Sequence, residues 1–263
     1  MSAADYKDPN QSARGGRILT RILPAAVRLW LRSQVEHVEQ LSLRLDGCDR
    51  NILSGNLSEV EVSAQEAVYR GVHIGRLQLS AQDIRINIGQ VVRGKPLRLL
   101  KAFPVEGEVS LSCEDLNASL ASPLLATGLK DFWRSLIQIP SLTETVAARY
   151  GQLPLQSDIE LQSPQIRLGA QRLGLSFYPR ALAQIAERPI IIGTEVAIAS
   201  GSRLQLKSPR WLETLGDLSD TEKGIPIPAL QHFEWDFGQG TQLTQLSVQD
   251  ERLSCSGQLT VSP

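Results

Sequence analysis

The sequence predicts an α+β fold: a long, curved antiparallel sheet wrapped around one or two helices, preceded by an N-terminal amphipathic helix. Three observations predict it. From Leu41 to Val261 apolar residues mostly recur at every second position, in short runs separated by glycine turns. The intervening positions are mostly polar, which implies an antiparallel sheet with one wet face. Helical spacing dominates only two long stretches, Arg17–Gln40 and Asp115–Ile137. A 263-residue chain that is 42% hydrophobic and 21% charged has ample material for a core.

Residues 1–16 are polar, carry Pro9, Gly15 and Gly16, and read as disordered. Residues 17–40 read as a basic amphipathic helix. At 100° per residue, Arg14, Arg17, Arg21, Arg28 and Arg32 fall within about 60° of one another. Ile18, Leu19, Ile22, Leu23, Ala26, Leu29 and Trp30 take the opposite side, and Pro24 opens the main helix or kinks a longer one. Residues 41–263 then read as a single β-rich domain.

Within that domain Leu41–Leu45, Val60–Val62, Leu77–Leu79 and Ile84–Ile88 alternate as strands, with Gly47, Gly55, Gly71 and Gly94 as punctuation. Ser63-Ala-Gln-Glu66 recurs 17 residues later as Ser80-Ala-Gln-Asp83, an echo that suggests successive hairpins of a meander. The strand Val109–Leu111 precedes the second helical stretch, which Pro123 interrupts and which carries Phe132 and Trp133. Strands return at Ile159–Leu161, Ile166–Leu168, Leu173–Phe177, Ile190–Ala199 and Leu204–Leu206, with a short helix expected over Arg180–Arg188. Phe233–Phe237, Leu243–Val248, Leu253–Cys255 and Leu259–Val261 complete the pattern.

Several chemistries are excluded. Lys and Arg number 27 against 28 Asp and Glu, so there is no basic footprint for nucleic acid. Cys48, Cys113 and Cys255 are scattered and odd in number, which gives neither a disulfide framework nor a zinc site. Gly89-Gln-Val-Val-Arg-Gly94-Lys95-Pro96 nearly spells a nucleotide-binding P-loop, but Pro96 stands where a magnesium-holding Ser or Thr belongs and lacks the N–H aimed at phosphate. It reads as a glycine turn. No G-x-S-x-G elbow occurs, and His37, His73 and His232 are isolated. Asp115 and Asn117, placed before an apolar run, read as helix caps and not as catalytic groups. No metal, cofactor or enzyme activity is expected.

Two features remain. A helix with an arginine stripe (Arg17, Arg21, Arg28, Arg32) and Trp30 beside its apolar face suits a bilayer interface, where Arg meets lipid phosphate. The alternative is that the apolar face packs on the domain and the arginines are solvated. The strands allow a sheet that curls and leaves an apolar channel against the second helical stretch. Leu116, Leu120, Leu124, Leu125, Phe132 and Trp133 are its candidate lining, with ordinary core packing as the alternative.

Several segments resemble the DUF2993 family, whose mycobacterial branch is the LmeA-like phospholipid-binding proteins. They are Leu53-Ser-Gly55, Val68-Tyr-Arg-Gly71, Ile84-Arg-Ile-Asn-Ile-Gly89, Arg93–Leu100 and Asp115-Leu-Asn-Ala-Ser-Leu-Ala-Ser-Pro-Leu-Leu125. The last two, and Arg28–Gln34, are similar to cyanobacterial members. The resemblance covers roughly residues 35–261. It implies a non-enzymatic phospholipid binder with an elongated fold akin to tubular lipid-binding domains, acting in binding or transfer at a membrane surface. The expected partners are phospholipid and a membrane surface, not nucleic acid or nucleotide. The rival expectation is a scaffold or assembly factor that docks a protein through the N-terminal helix. Ile18–Leu31, broken by Arg21, Pro24 and Arg28, does not read as a signal peptide. The expected location is therefore cytoplasmic, peripheral to an inner or thylakoid membrane.

Overall fold

The computed structural model describes residues 23–46, 51, 54–150, 160–181, 184–185, 188–231, 233–238 and 240–263. The strands form two antiparallel sheets. The first runs in the order β1 (His37–Asp46), β2 (Asn56–Tyr69), β3 (Val72–Arg85), β4 (Phe103–Ser112), β13 (Arg252–Val261) and β12 (Thr241–Gln249). The second runs β10 (Ile225–Pro226), β9 (Arg203–Trp211), β8 (Ile190–Ser200), β6 (Arg172–Ala181) and β5 (Glu160–Gly169). Two short strands are added to it, β7 (Gln184–Ile185) on β6 and β11 (Glu234–Asp236) on β9. The helices are α1 (residues 23–33), α2 (Ile88–Val91), α3 (Cys113–Ser119), α4 (Pro123–Ile137) and α5 (Pro140–Tyr150).

The expected fold class holds. Antiparallel sheets dominate, the first sheet curls strongly into a half-barrel, and an N-terminal helix lies against it. The strands divide between two sheets where one long sheet was expected. The first sheet takes four strands from the N-terminal part and closes with the C-terminal hairpin, so it is assembled from both ends of the chain. The second sheet packs α4 and α5 against Leu175, Phe177, Ile190, Ile192 and Trp211. Arg180–Arg188 is not a helix over its described residues. Gln184 and Ile185 turn back to pair with Arg180 and Ala181. A helix of so few residues has little to offset its nucleation cost.

Two sequence features account for the curl. On β2 the alternation skips a beat, since Ala64 and Ala67 are both buried while Gln65 and Glu66 between them are exposed. β3 does the same between Ala81 and Ile84. The residues responsible, Glu66 (φ 49°) and Asp83 (φ 53°), both adopt left-handed backbone. They are the last residues of the two echoed tetrapeptides, so the sequence echo marks one kink used twice. The second feature is Gly257. A Cβ there would run into the Gln242 carbonyl oxygen and stand 3.1 Å from Leu243 Cα, so only glycine lets β12 fold inward over β13.

Helix α3 joins the two sheets. Ser112 and Asp115 form a reciprocal capping box at its start. Ser119 accepts a hydrogen bond from the His73 backbone N–H (2.7 Å) and donates one to the Asp115 carbonyl. Asn117 reaches across to β5, where its amide NH₂ donates to the Ile166 carbonyl (2.7 Å) and its oxygen accepts from the Ile166 N–H (2.9 Å). Asp115 thus caps as expected, whereas Asn117 does not cap. The P-loop-like segment forms α2 and a turn at Gly94 (φ 76°), fastened by Asn87 to Pro96 O and Arg98 N. It builds no phosphate cradle.

Candidate functional site

Register aligns the apolar residues of all six strands of the first sheet on one face. One row reads Leu43, Val62, Leu79, Gly107, Gly257, Leu243. Beside it run Leu45, Val60, Ala81, Val105, Leu259, Thr241 and Leu41, Ala64, Leu77, Val109, Cys255, Leu246. The opposite face carries rows such as Arg44, Glu61, Ser80, Glu106, Gln258, Gln242. A polar depression of about 790 Å³ lies on that side. The sheet is therefore two-faced, and its inward curl at Gly257 gathers the apolar face into a trough.

Helix α1 closes one end of this trough. Leu23 and Val27 are buried against Leu57, Val60, Ile84, Ile86 and Phe103, with Trp30 and Leu31 half-buried beside them. Where the helix ends the trough opens into a cavity of about 450 Å³. Leu31, Val35, Val38, Leu41, Ala64, Ala67, Leu77, Leu79, Val109 and Leu243 line it, and no charged side chain does. That volume lies within the roughly 300–1,000 Å³ typical of small-ligand sites. Such a surface can hold alkyl chains by non-directional burial, worth about 0.8 kcal/mol per CH₂. Cys255 sits in the wall, and burial pushes its thiol up from the ordinary value.

The sequence-predicted residues are distributed as follows. Arg17 and Arg21 lie outside the described residues, as does the stretch expected to be disordered, residues 1–16. Arg28 and Arg32 are exposed on the outer side of α1. Leu29, assigned to the apolar face, is 71% exposed between them, and Val27 takes the inward place instead. None of the six candidate lining residues lines the apolar trough. Leu116 is buried with Leu168 and Val248 beneath α3. Leu120 is buried and Leu125 half-buried. Phe132 and Trp133 belong to the core of the second sheet. Leu124 is 61% exposed and borders an open cleft of about 950 Å³ between the Arg70–Gly71 turn, the start of α4 and Trp235. Trp235 stacks between Phe132 and Phe237 there, with centroids 5.8 and 5.9 Å away.

Of the lining residues, Leu41, Val62, Leu77, Leu79, Val109 and Leu243 stand in the expected strand runs, whereas Ala64, Ala67 and Ile74 lie just outside them. Val35 and Val38 belong to the expected 17–40 helix, which instead ends at residue 33, and β1 begins at His37. What brings them together is register across six strands, two of them from the far end of the chain.

A curled antiparallel sheet whose inner face is an open, carbon-lined trough is the build of a binding protein for apolar molecules. The chain belongs to the LmeA-like phospholipid-binding family, whose sequence profile matches residues 15–258. No curated protein sequence and no solved structure matches the chain. Among the described residues, no helix is long and apolar enough to cross a membrane.

Proposed function

We propose that this protein binds or transfers a phospholipid at a membrane surface, without catalysing a reaction, and that the acyl chain lies in the trough between α1 and the C-terminal hairpin. The observation that carries this reading is the uncharged lining of a 450 Å³ cavity in a chain of a phospholipid-binding family. An enzyme would need polar groups converging on that space, and the lining instead offers carbon, with uncharged polar side chains such as Gln34, Thr241 and Gln258. The apolar side of α1 is spent on the trough, and among the described residues Arg28, Leu29 and Arg32 are the part of the expected stripe and its flank that faces outward toward a bilayer. A cytoplasmic face, of an inner or thylakoid membrane, remains the location proposed.

Native mass spectrometry of the purified full chain, with organic extraction of what travels with it, tests the reading. Phospholipid near one per chain, lost from a Leu79→Arg or Leu243→Arg variant that still folds, is the expected result. A protein that carries none, and gains none from added vesicles, would leave the outer side of α1 as a docking element for another protein, which is the scaffold reading.

A further inference from the structure

The trough takes carbon chains but holds no charge, so a phosphate joined to those chains has to sit where the trough opens. We propose that Arg70 receives it, an inference that rests on the lipid-binding reading. Tyr69 continues the inward-facing series of β2, lines the trough and is partly exposed at its rim. Arg70 and Gly71 then form a two-residue hairpin turn, both at positive φ (50° and 75°). Within that tight turn the Arg70 guanidinium lies over the Tyr69 ring, its Cζ 5.3 Å from the centroid. A guanidinium held over a ring by cation–π attraction spends none of its N–H donors on a carboxylate, so they remain for an oxyanion. Among the described residues Arg70 forms no ion pair that would occupy them.

Among the described residues the other openings lack such a group. At the far side, exposed Leu259 is flanked by Gln258 and Thr260 and paired with Thr241, all uncharged. Arg32 follows the trough-lining Leu31 but projects about 100° around the helix from it. Among the described residues Arg70 thus marks the cationic mouth of the trough, and the bound lipid points its phosphate at Tyr69–Arg70 and its tail toward Leu259. Glu36 and Asp131 share the cleft beyond Arg70. Their charge selects a singly charged phosphodiester over a headgroup with several phosphates.

The test offers the full chain mixed vesicles containing phosphatidylglycerol and diacylglycerol with the same acyl chains, and native mass spectrometry reads which lipid it carries. The wild type is expected to favour phosphatidylglycerol. Arg70→Gln should lower that preference about tenfold, since a charge-assisted hydrogen bond is removed, while leaving diacylglycerol uptake intact. Arg70→Asn, a residue suited to positive φ, should do the same and guards against a turn that fails to form. An unchanged lipid ratio in both variants overturns the assignment of Arg70. Displacement of the phospholipid by inorganic phosphate overturns it too, by showing a free-phosphate site. A wild type that takes up neither lipid defeats the trough reading itself.

Discussion

The side chain of Asn117 makes with Ile166 the two hydrogen bonds that a neighbouring strand would make. Its amide NH₂ donates to the Ile166 carbonyl and its oxygen accepts from the Ile166 N–H, at 2.7 and 2.9 Å. β5 is an edge strand of the second sheet, and α3 follows β4 of the first. One carboxamide thus closes a free sheet edge and ties the two sheets together. Asn117→Ala leaves the Ile166 N–H without its side-chain partner and the Ile166 carbonyl with only the weak Cys113 thiol donor (3.2 Å), and should cost about 1–3 kcal/mol. Asn117→Asp should cost at least as much, because a carboxylate cannot donate to the Ile166 carbonyl. Urea unfolding checks this, as a fall in midpoint without a change in slope. A midpoint equal to the wild type would show the bond to be incidental.

The middle row of the trough contains two glycines paired across β4 and β13, Gly107 and Gly257, and they should respond differently to a methyl group. A Cβ on Gly107 crowds the end of the Leu79 side chain, at 2.9 Å, which can swing into the trough, and meets the Gln78 carbonyl oxygen at an ordinary 3.7 Å. Gly107→Ala should therefore fold and carry less lipid, and Gly107→Val less again. A Cβ on Gly257 meets the backbone of β12 instead. Gly257→Ala should cost about 1–3 kcal/mol in overpacking and straighten the curl. Thermal unfolding and lipid extraction, run side by side, separate the two effects. Equal loss of stability at both positions would refute the distinction.

The contrast between those glycines shows where sequence stops being legible. Strand alternation was readable residue by residue, so the two-faced sheet was predictable from Leu43, Val62 or Leu79 alone. The trough was not, because it depends on Leu243 and Leu259 returning from the end of the chain to close the half-barrel. The six apolar residues chosen from the second helical stretch share a helical period, and period says that a face is buried without saying against what. For Phe132 and Trp133 the answer is a second sheet that local pattern does not separate from the first. The echoed tetrapeptides were visible, whereas their left-handed final residues were not, since Glu has little preference for that backbone and the leaning of Asp toward it is too weak to read inside a strand.

Cys255 offers a spectator of occupancy. It sits in the trough wall, and burial raises its thiol above the ordinary value, so at a given pH less of it is thiolate than in a free cysteine. Alkylation by iodoacetamide should be slow near neutrality and should rise only at a pH above that of a model thiol. Added phospholipid should slow it further by covering the wall. The same shift has a stability consequence. Because the folded state favours the neutral thiol, the contribution of Cys255 is complete below the unfolded thiol value and is lost as pH climbs through the raised one. A Cys255→Ala variant should show a smaller alkaline loss of stability than the wild type. Alkylation indifferent to lipid would place the ligand elsewhere.

Removing the N-terminal helix is a poor test of membrane contact, because Leu23 and Val27 are part of the core that closes the trough. The outer side of α1 can be altered alone. Arg28, Leu29 and Arg32 are exposed and make no buried contact, so Arg28→Glu with Arg32→Glu should shift unfolding by less than about 0.5 kcal/mol. Against vesicles containing anionic lipid, each arginine near the surface is worth about 1 kcal/mol. The double reversal should then weaken sedimentation with such vesicles by well over tenfold, and the loss should shrink as salt is raised. Leu29→Ser should weaken binding to a smaller, salt-independent degree, since it removes only apolar contact. Lipid already held in the trough should stay with the protein in all three variants. Unchanged sedimentation of the double variant would mean that α1 does not face the bilayer, and the membrane-facing surface would then have to be sought at the exposed aromatics Trp235 and Phe237.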